Sequence, residues 1–212
     1  QIPRGLQEEL IANIDKAGIE YFVDDERQQG RSINVEFNGE LRPEQNKALK
    51  ELTKYDNGIL HAATAFGKTV VSSAIIAQKK VNTLILLESS ALIEQWKDAL
   101  NKFLIIDEEL PQYTTKMGRL RTRKSLIGTL QGAHDSMTGI VDIAMVGSLC
   151  KKGEFHNLLN DYGLVLIDEC HHSASETIAN VLKEVKARYV YGVTATPKRG
   201  DGLEKINYML IG

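Results

Sequence analysis

The sequence predicts an α/β domain in which a mostly parallel β-sheet is covered by helices on both faces. Three observations support this prediction. From residue 58 onward, short apolar segments alternate with longer segments of helical periodicity, which is the order of strand–helix–strand units. Two of the apolar segments, 83–87 and 163–167, are continuous rather than alternating, as in strands buried on both faces. The length of 212 residues fits one large domain with a small appendage.

Composition narrows the classes of protein to which the chain can belong. A net charge of −2 gives no overall attraction to nucleic acid, so any such binding must come from local basic patches. The two cysteines, Cys150 and Cys170, lack the spacing of a metal site or a disulfide scaffold, from which we expect a cytoplasmic protein. No apolar run approaches the roughly 18 residues of a membrane span, so we expect no membrane partner. The chain begins at Gln1, which suggests a fragment of a longer protein.

The residues before position 40 predict a small α+β appendage. They predict, in order, a helix over 5–17 ended by Gly18, a strand over 19–23, a loop over 24–32, and a strand over 33–37 followed by a turn. None of these segments carries a recognisable chemical motif. We therefore divide the chain into an appendage at 1–39 and a main domain at 40–212.

The main domain shows a regular order of strands and helices. Its predicted elements are a helix that begins at Pro43, a strand at 83–87, a helix over 91–103, strands at 125–130 and 140–146, a strand at 163–167, a helix preceded by the capping-box pattern Ser173-x-x-Glu176, and a strand at 189–193. Residues 105–124 do not follow this alternation of strands and helices. Trp96 lies on the apolar face of its predicted helix, which indicates a core position.

The segment Ala62-Ala63-Thr64-Ala65-Phe66-Gly67-Lys68-Thr69 predicts a phosphate-binding loop between a strand and a helix. In such a unit the loop N–H groups and the helix N-terminus point at an anion, and Lys68 adds a full positive charge. Thr69 can place its hydroxyl on a Mg²⁺ ion that bridges the terminal phosphates. The predicted nucleotide-binding residues are Thr64, Ala65, Phe66, Gly67, Lys68 and Thr69. The alternative is a chance Gly-Lys-Thr at a helix start, since the consensus would have glycine at Ala62.

Asp168 and Glu169 predict the second half of this site. They end the apolar strand at 163–167, and ligands of open parallel sheets collect at the carboxyl ends of strands. Asp168 is suited to hold Mg²⁺, and Glu169 to orient and deprotonate an attacking water. The alternative is that the two acids only cap the next helix. We expect the Lys68 ammonium and this acid pair to meet at one edge of the sheet.

In the order of its motifs, the chain from about Leu41 onward resembles the first RecA-like, P-loop NTPase motor domain of the superfamily 2 (DEAD/DEAH-box-like) helicases and translocases. It is most similar to the branch of type III restriction subunits and XPB-like repair helicases. Residues 41–45 are similar to the adenine-reading motif, residues 63–69 to motif I, residues 168–171 to motif II and residues 194–196 to motif III. The resemblance implies that Arg42 and Gln45 contact the nucleotide. It further implies that His171, Thr194 and Thr196 couple nucleotide state to nucleic acid.

The resemblance also implies the cofactors and partners. ATP and Mg²⁺ are the expected cofactors, and nucleic acid is the expected partner, with DNA favoured and RNA possible. A second RecA-like domain would supply the arginine finger, so we expect the chain alone to bind ATP weakly and to hydrolyse it slowly. Two alternatives stay open: a translocating subunit that works with a nuclease or modification subunit, and a nucleotide-dependent clamp that does not unwind.

Three groups of residues are candidates for contacting nucleic acid. Ser89 and Ser90 precede the helix over 91–103 and could bind a phosphate oxygen, although ordinary N-capping explains them equally well. Ser148 has a similar, weaker case. The basic run that includes Arg119, Arg121 and Arg123 contains no acid and is the best candidate for touching a phosphate backbone. A solvated basic loop is its alternative explanation.

Overall fold

The computed structural model describes residues 2–115, 117–151, 154–155, 157–170, 176–195 and 204–212. The strands are β1 (Val35–Phe37), β2 (Asn57–His61), β3 (Thr83–Leu87), β4 (Leu104–Ile106), β5 (Gln112–Thr114), β6 (Leu120–Thr122), β7 (Ile127–Gln131), β8 (His134–Asp135), β9 (Val141–Met145), β10 (Cys150–Lys151), β11 (Glu154–Phe155), β12 (Leu164–Asp168) and β13 (Tyr189–Thr194). The α-helices are α1 (Gln7–Lys16), α2 (Pro43–Leu52), α3 (Lys68–Lys79), α4 (Leu92–Phe103), α5 (Val146–Leu149), α6 (Glu176–Glu184) and α7 (Glu204–Leu210).

The largest sheet has the strand order β2-β13-β12-β3-β9-β7-β8. Every neighbouring pair from β2 to β7 is parallel, and β8 returns antiparallel to β7 at one edge. The carboxyl ends of the six parallel strands therefore lie along one edge of the sheet, which we call the rim. The predicted fold class, a mostly parallel sheet in an α/β domain, is confirmed. No helix among the described residues is both long and apolar enough to cross a membrane.

Side chains on the central strands alternate between two cores, one on each face of the sheet. Leu84 and Leu86 of β3 belong to the core that also contains Ile178 and Val181 of α6. Ile85 and Leu87 belong to the opposite core, with residues of α3 and α4. This alternation follows from the two-residue period of a strand. It explains why a strand covered on both faces has a continuous apolar sequence.

The N-terminal residues differ in part from the prediction. The helix is confirmed as α1, but the predicted strand at 19–23 is wrong. Residues 19–23 run over the surface without a ladder partner, and the Phe22 side chain is 89% exposed. Aromatic and β-branched residues form a strand only where a neighbouring strand offers hydrogen bonds and one face is buried. The backbone N–H of Ile19 is instead bonded to Ile14 O at the end of α1.

The later part of this segment packs with the rest of the chain. β1 pairs antiparallel with β4, with Val35 opposite Ile106. Ile33 and Val35 are buried in the same core as α3 and α4. The strand predicted at 33–37 is thereby confirmed.

Candidate nucleotide site and nucleic-acid face

The phosphate-binding loop connects the end of β2 to the start of α3. A 3₁₀ turn, Thr64–Phe66, leads to Gly67, whose φ of 82° lies in the left-handed region that glycine tolerates best. α3 then begins at Lys68, so its first N–H groups face the loop. A Cβ atom on Gly67 would lie only 2.7 Å from Gln45 Nε2, so a side chain at this position would displace the Gln45 carboxamide.

Arg42 and Gln45, which the family resemblance predicts to contact the nucleotide, form hydrogen bonds to this loop. Gln45 is 2% exposed, and its Nε2 donates to the carbonyl oxygen of Phe66 at 2.7 Å. The side-chain oxygen of Gln45 accepts from the backbone N–H of Arg42 at 2.9 Å. The Arg42 guanidinium donates to the same Phe66 carbonyl at 2.6 Å. The start of α2 is therefore fastened directly to the loop, a link that the sequence motif by itself does not reveal.

Lys68 and the acid pair meet at the rim, as the sequence predicts. The Lys68 Nζ lies 3.5 Å from Glu169 Oε1, and only 9% of the lysine side chain is exposed. The contact spans about one hundred residues of chain, and it arises because β12 and β2 end at the same edge of one sheet. A buried ammonium requires a negative partner, and among the described residues Glu169 forms the ion pair with it.

Asp168 is held by two donors, one on each carboxylate oxygen. The indole Nε1 of Trp96 donates to Oδ2 at 2.7 Å, and the backbone N–H of Glu169 donates to Oδ1 at 2.9 Å. Burial raises the pKa of Asp168 above its ordinary value, while the Trp96 hydrogen bond opposes that rise. Trp96 itself is 1% exposed, so the predicted core position is confirmed, but its bond to Asp168 was not foreseen.

Glu169 connects the acid pair to the next strand end. Its φ of 48° places a non-glycine residue in the left-handed region, a conformation that costs about 1 to 2 kcal/mol. Its Oε2 accepts from Thr194 Oγ1 at 3.2 Å and from the backbone N–H of Ala195 at 3.3 Å. One carboxylate thus bridges the phosphate-binding loop through Lys68 and the end of β13 through Thr194.

The residues present fit a Mg²⁺–nucleotide ligand. Asp168 and Glu169 lie beside a buried ammonium, and Thr69 occupies the first turn of α3 in a half-buried position. The described residues contain no group of three or more histidine, cysteine or acidic side chains that could hold a metal alone. Mg²⁺ usually binds through one or two protein carboxylates together with substrate phosphates. His171 and Thr196, predicted to couple the site to nucleic acid, lie outside the described residues.

Ser89 and Ser90 lie at the rim between the end of β3 and the start of α4. Both are exposed, and α4 begins after Ala91 without a side-chain cap. The first N–H groups of α4 are instead bonded to backbone carbonyls, with Leu92 N–H donating to Ser89 O and Ile93 N–H to Ser90 O, both at 3.2 Å. Their hydroxyls are placed where an approaching phosphate oxygen could be bound.

Ser148 is buried and forms a hydrogen bond within the fold. It is 7% exposed, and its hydroxyl accepts from the backbone N–H of Gly132 at 2.8 Å. This bond joins α5, which follows β9, to the turn between β7 and β8. The structure therefore does not bring the Ser148 side chain to the surface, and the sequence offered no sign of this burial.

The basic run lies on an antiparallel hairpin formed by β5 and β6, two strands that the sequence pattern did not predict. Tyr113 is directly opposite Arg121 in β6, and Arg119 and Arg123 flank that strand, each two residues from Arg121. Arg119 and Arg121 are exposed. The alternation of arginine with Leu120 and Thr122, next to the left-handed Gly118, was the signal that could have revealed the hairpin.

Arg123 attaches this hairpin to the edge of the main sheet. Its guanidinium lies over the Tyr113 ring, 4.2 Å from the centroid. It also donates to the carbonyl oxygen of Asp135 in β8 at 3.1 Å. The three arginines predicted as one group thus divide into two exposed cations, Arg119 and Arg121, and one that is engaged in the fold.

Comparisons with known proteins agree with this geometry. The profile of the family described as "Type III restriction enzyme, res subunit" matches residues 38–199. The "DNA 3'-5' translocase XPB2" of Sulfurisphaera tokodaii is 33% identical over 173 residues, which cover 82% of this chain and 34% of that protein. The chain thus spans about a third of the length of that curated relative.

Solved structures show the same fold at low sequence identity. The UvsW helicase from bacteriophage T4 superposes with a TM-score of 0.68 at 15% identity, over 99% of this chain and 77% of that one. The SWI2/SNF2 ATPase core of Sulfolobus solfataricus, solved in complex with double-stranded DNA, gives a TM-score of 0.60 at 17% identity. That match covers 87% of this chain and 38% of the other.

Proposed function

Because this chain belongs to the family of Type III restriction enzyme res subunits, as a first motor domain of the superfamily 2 helicases, we propose that it is the ATP-binding half of a motor that moves along nucleic acid. The observation that carries the proposal is the 3.5 Å contact between Lys68 Nζ and Glu169 Oε1, with Asp168 adjacent. A phosphate-binding lysine and two carboxylates at one rim are the parts that phosphoryl transfer needs.

Each residue of the site has a distinct proposed role. Bound Mg²⁺–ATP would supply the γ-phosphoryl group that is transferred to water. Lys68 and the N–H groups of its loop bind the phosphates, while Thr69 and Asp168 hold the metal. Glu169 orients the attacking water and accepts its proton at a carboxylate oxygen. Arg42, which is exposed, is proposed to contact the nucleotide, whereas the buried Gln45, with both polar side-chain atoms bonded within the protein, is proposed to act by holding the loop.

Thr194 is proposed to report the state of the nucleotide site to the nucleic-acid face. Its support is the hydrogen bond from Thr194 Oγ1 to Glu169 Oε2, the carboxylate that also pairs with Lys68. His171 and Thr196 keep the coupling roles that the family resemblance implies. A second RecA-like domain in the parent chain is proposed to complete the cleft, whose opening and closing converts hydrolysis into steps.

DNA is the proposed track. Among the described residues, Ser89 and Ser90 offer exposed hydroxyls at the rim, and Arg119 and Arg121 offer exposed guanidinium groups on the β5–β6 hairpin. Such groups bind the phosphate backbone, which carries no sequence information by itself. The DNA translocase named among the relatives favours DNA over RNA as the proposed partner.

Nucleotide binding is tested with a fluorescent ATP analogue and the purified chain in the presence of Mg²⁺. Lys68→Ala is expected to weaken binding at least about tenfold, because it removes the cation that faces the phosphates. Glu169→Gln should still bind, since its proposed role is in hydrolysis. Lys50→Ala, an exposed lysine on α2, serves as the matched control. Equal affinity of Lys68→Ala and the control would contradict the proposed nucleotide site.

Nucleic-acid binding is tested by the salt dependence of affinity for a DNA duplex, measured by fluorescence anisotropy. Removing both exposed arginines, Arg119→Ala with Arg121→Ala, should lower the slope of log K against log salt by up to about 2, because each lost phosphate contact accounts for about 0.9. The control replaces two exposed lysines that lie on other helices, Lys16 on α1 and Lys50 on α2. A slope unchanged by the arginine substitutions would remove the hairpin from the interface. An RNA duplex bound as tightly as DNA would contradict the preference for DNA.

A further inference from the structure

Resting on the proposed function, we infer that Trp96 is a positioning residue for the metal site, which holds the Asp168 carboxylate in its working orientation through the indole N–H. The contact is a 2.7 Å hydrogen bond from Trp96 Nε1 to Asp168 Oδ2. It joins α4 to the end of β12, two elements whose residues are 72 positions apart. Nothing in the family resemblance assigned Trp96 a role beyond the core.

Packing of the Trp96 ring in the core does not by itself require a hydrogen bond to Asp168. Trp96 is 1% exposed and lies with Ile93 and Leu100 on the buried face of α4. A buried indole needs a partner for its N–H, and here that partner is a carboxylate proposed to bind metal. Hydrogen bonds to ionised acceptors are shorter and stronger than neutral ones, so this contact can fix a rotamer.

The two donors to Asp168 together restrict its orientation. Trp96 binds Oδ2, and the backbone N–H of Glu169 binds Oδ1 at 2.9 Å. Each carboxylate oxygen accepts along more than one direction, so both oxygens retain capacity for a metal ion or its waters. Groups that orient a metal ligand in this way are typically worth 10- to 100-fold in metal affinity.

Trp96 also lies between two proposed parts of the motor. α4 begins at Leu92, directly after the exposed Ser89 and Ser90, and Trp96 follows one helical turn later. The same helix therefore presents the proposed phosphate-contacting hydroxyls at one end and contacts the metal-binding carboxylate from its first turns. A displacement of α4 would therefore change the hydrogen bond that Trp96 donates to Asp168.

The test uses Trp96→Phe, which removes the N–H and keeps an aromatic ring. The half-saturating Mg²⁺ concentration for binding a fluorescent, non-hydrolysable ATP analogue should rise about tenfold, whereas binding without Mg²⁺ should be unchanged. The matched control is Tyr191→Phe, which removes another buried hydrogen bond, from Tyr191 Oη to Tyr55 O at 2.6 Å. That variant should lose stability in urea and retain the wild-type Mg²⁺ dependence.

A second measurement leaves Trp96 in place, so it does not depend on whether a Trp96 variant folds. Trp96 is the one tryptophan of the chain, so the indole N–H gives a single resonance in a ¹H–¹⁵N spectrum. Asp168→Asn should move that resonance in the absence of ligand, and Mg²⁺ with the ATP analogue should move it in the wild type. A resonance that stays in place in both experiments would overturn the inference.

The outcomes distinguish the inference from the proposed function. If the wild type binds the analogue with a Mg²⁺ dependence that Trp96→Phe shares, the proposed function stands and the positioning role is refuted. If the wild type shows no Mg²⁺-dependent binding at all, the proposed function fails, and the inference fails with it. A selective rise in the Mg²⁺ requirement of Trp96→Phe, absent in Tyr191→Phe, supports both.

Discussion

Replacing Gly67 with alanine tests the geometry of the phosphate-binding loop most directly. The residue has a φ of 82°, and an alanine in this region costs about 1 to 2 kcal/mol. The added Cβ would also lie 2.7 Å from Gln45 Nε2, so the carboxamide must move. That movement breaks its hydrogen bond to Phe66 O and leaves a buried amide unsatisfied, which costs about 1 to 3 kcal/mol more. We therefore expect Gly67→Ala to lose about 2 to 5 kcal/mol.

The assay is urea unfolding at equilibrium, with Gly118→Ala as the matched control. Gly118 has a φ of 74°, and a Cβ atom there would meet nothing within 4 Å. The control therefore carries the backbone cost without the steric contact, and its loss should be about 1 to 2 kcal/mol. The difference between the two variants measures the displacement of Gln45.

A double-mutant cycle separates the two contributions further. Gln45→Ala removes the group that the new Cβ would meet, so Gly67→Ala should cost at least about 1 kcal/mol less in that background. Equal losses for Gly67→Ala and Gly118→Ala would refute the argument that Gln45 limits the loop. So would a Gly67→Ala cost that is the same with and without Gln45.

Three further predictions concern the fold away from the rim. Asp142→Asn should lose about 2 to 4 kcal/mol in urea unfolding, because the buried carboxylate accepts two backbone N–H groups and two hydroxyls and the amide would turn a donor toward some of them. A thiol reagent should label the half-buried Cys150 and spare the buried Cys170 in the native chain; equal labelling rates would contradict the packing. The backbone N–H of Asn34 is the main cause that lowers the pKa of Glu108 below its ordinary 4.5, so its stabilisation is present above that pH and lost as the pH falls through the lowered value. Glu108→Gln should flatten the fall of the urea midpoint as the pH is lowered below the ordinary pKa of this carboxyl group.

The central strands could be predicted closely because burial on both faces leaves a sequence signature. The strand expected at 83–87 has those bounds as β3, and the strand expected at 163–167 is β12, shifted by one residue. Residues 19–23 have a comparable composition but no strand partner. Pairing depends on which neighbour is available in three dimensions, and a local pattern carries no information about that neighbour.

The candidate site could be predicted in outline but not in its connections. The convergence of Lys68 with Glu169 follows from a rule about strand ends in parallel sheets, so the sequence sufficed for it. The hydrogen bond from Trp96 to Asp168 joins side chains from a helix and a strand whose relative rotation no residue pattern specifies. The buried Ser148 shows the same limit, since its partner is a backbone group of another turn.

The proposed nucleotide site and the proposed nucleic-acid contacts of Ser89 and Ser90 lie at different strands along the rim. The phosphate-binding loop follows β2, while Asp168 and Thr194 end β12 and β13, and these three strands are consecutive in the sheet. The exposed Ser89 and Ser90 follow β3, which lies on the other side of β12. Because β12 and β3 are adjacent, the boundary between the two activities falls between these strands. α4, which follows β3, returns across this boundary to place Trp96 against Asp168. In the proposed motor, this buried hydrogen bond is the contact through which a movement of α4 would alter the metal-binding carboxylate.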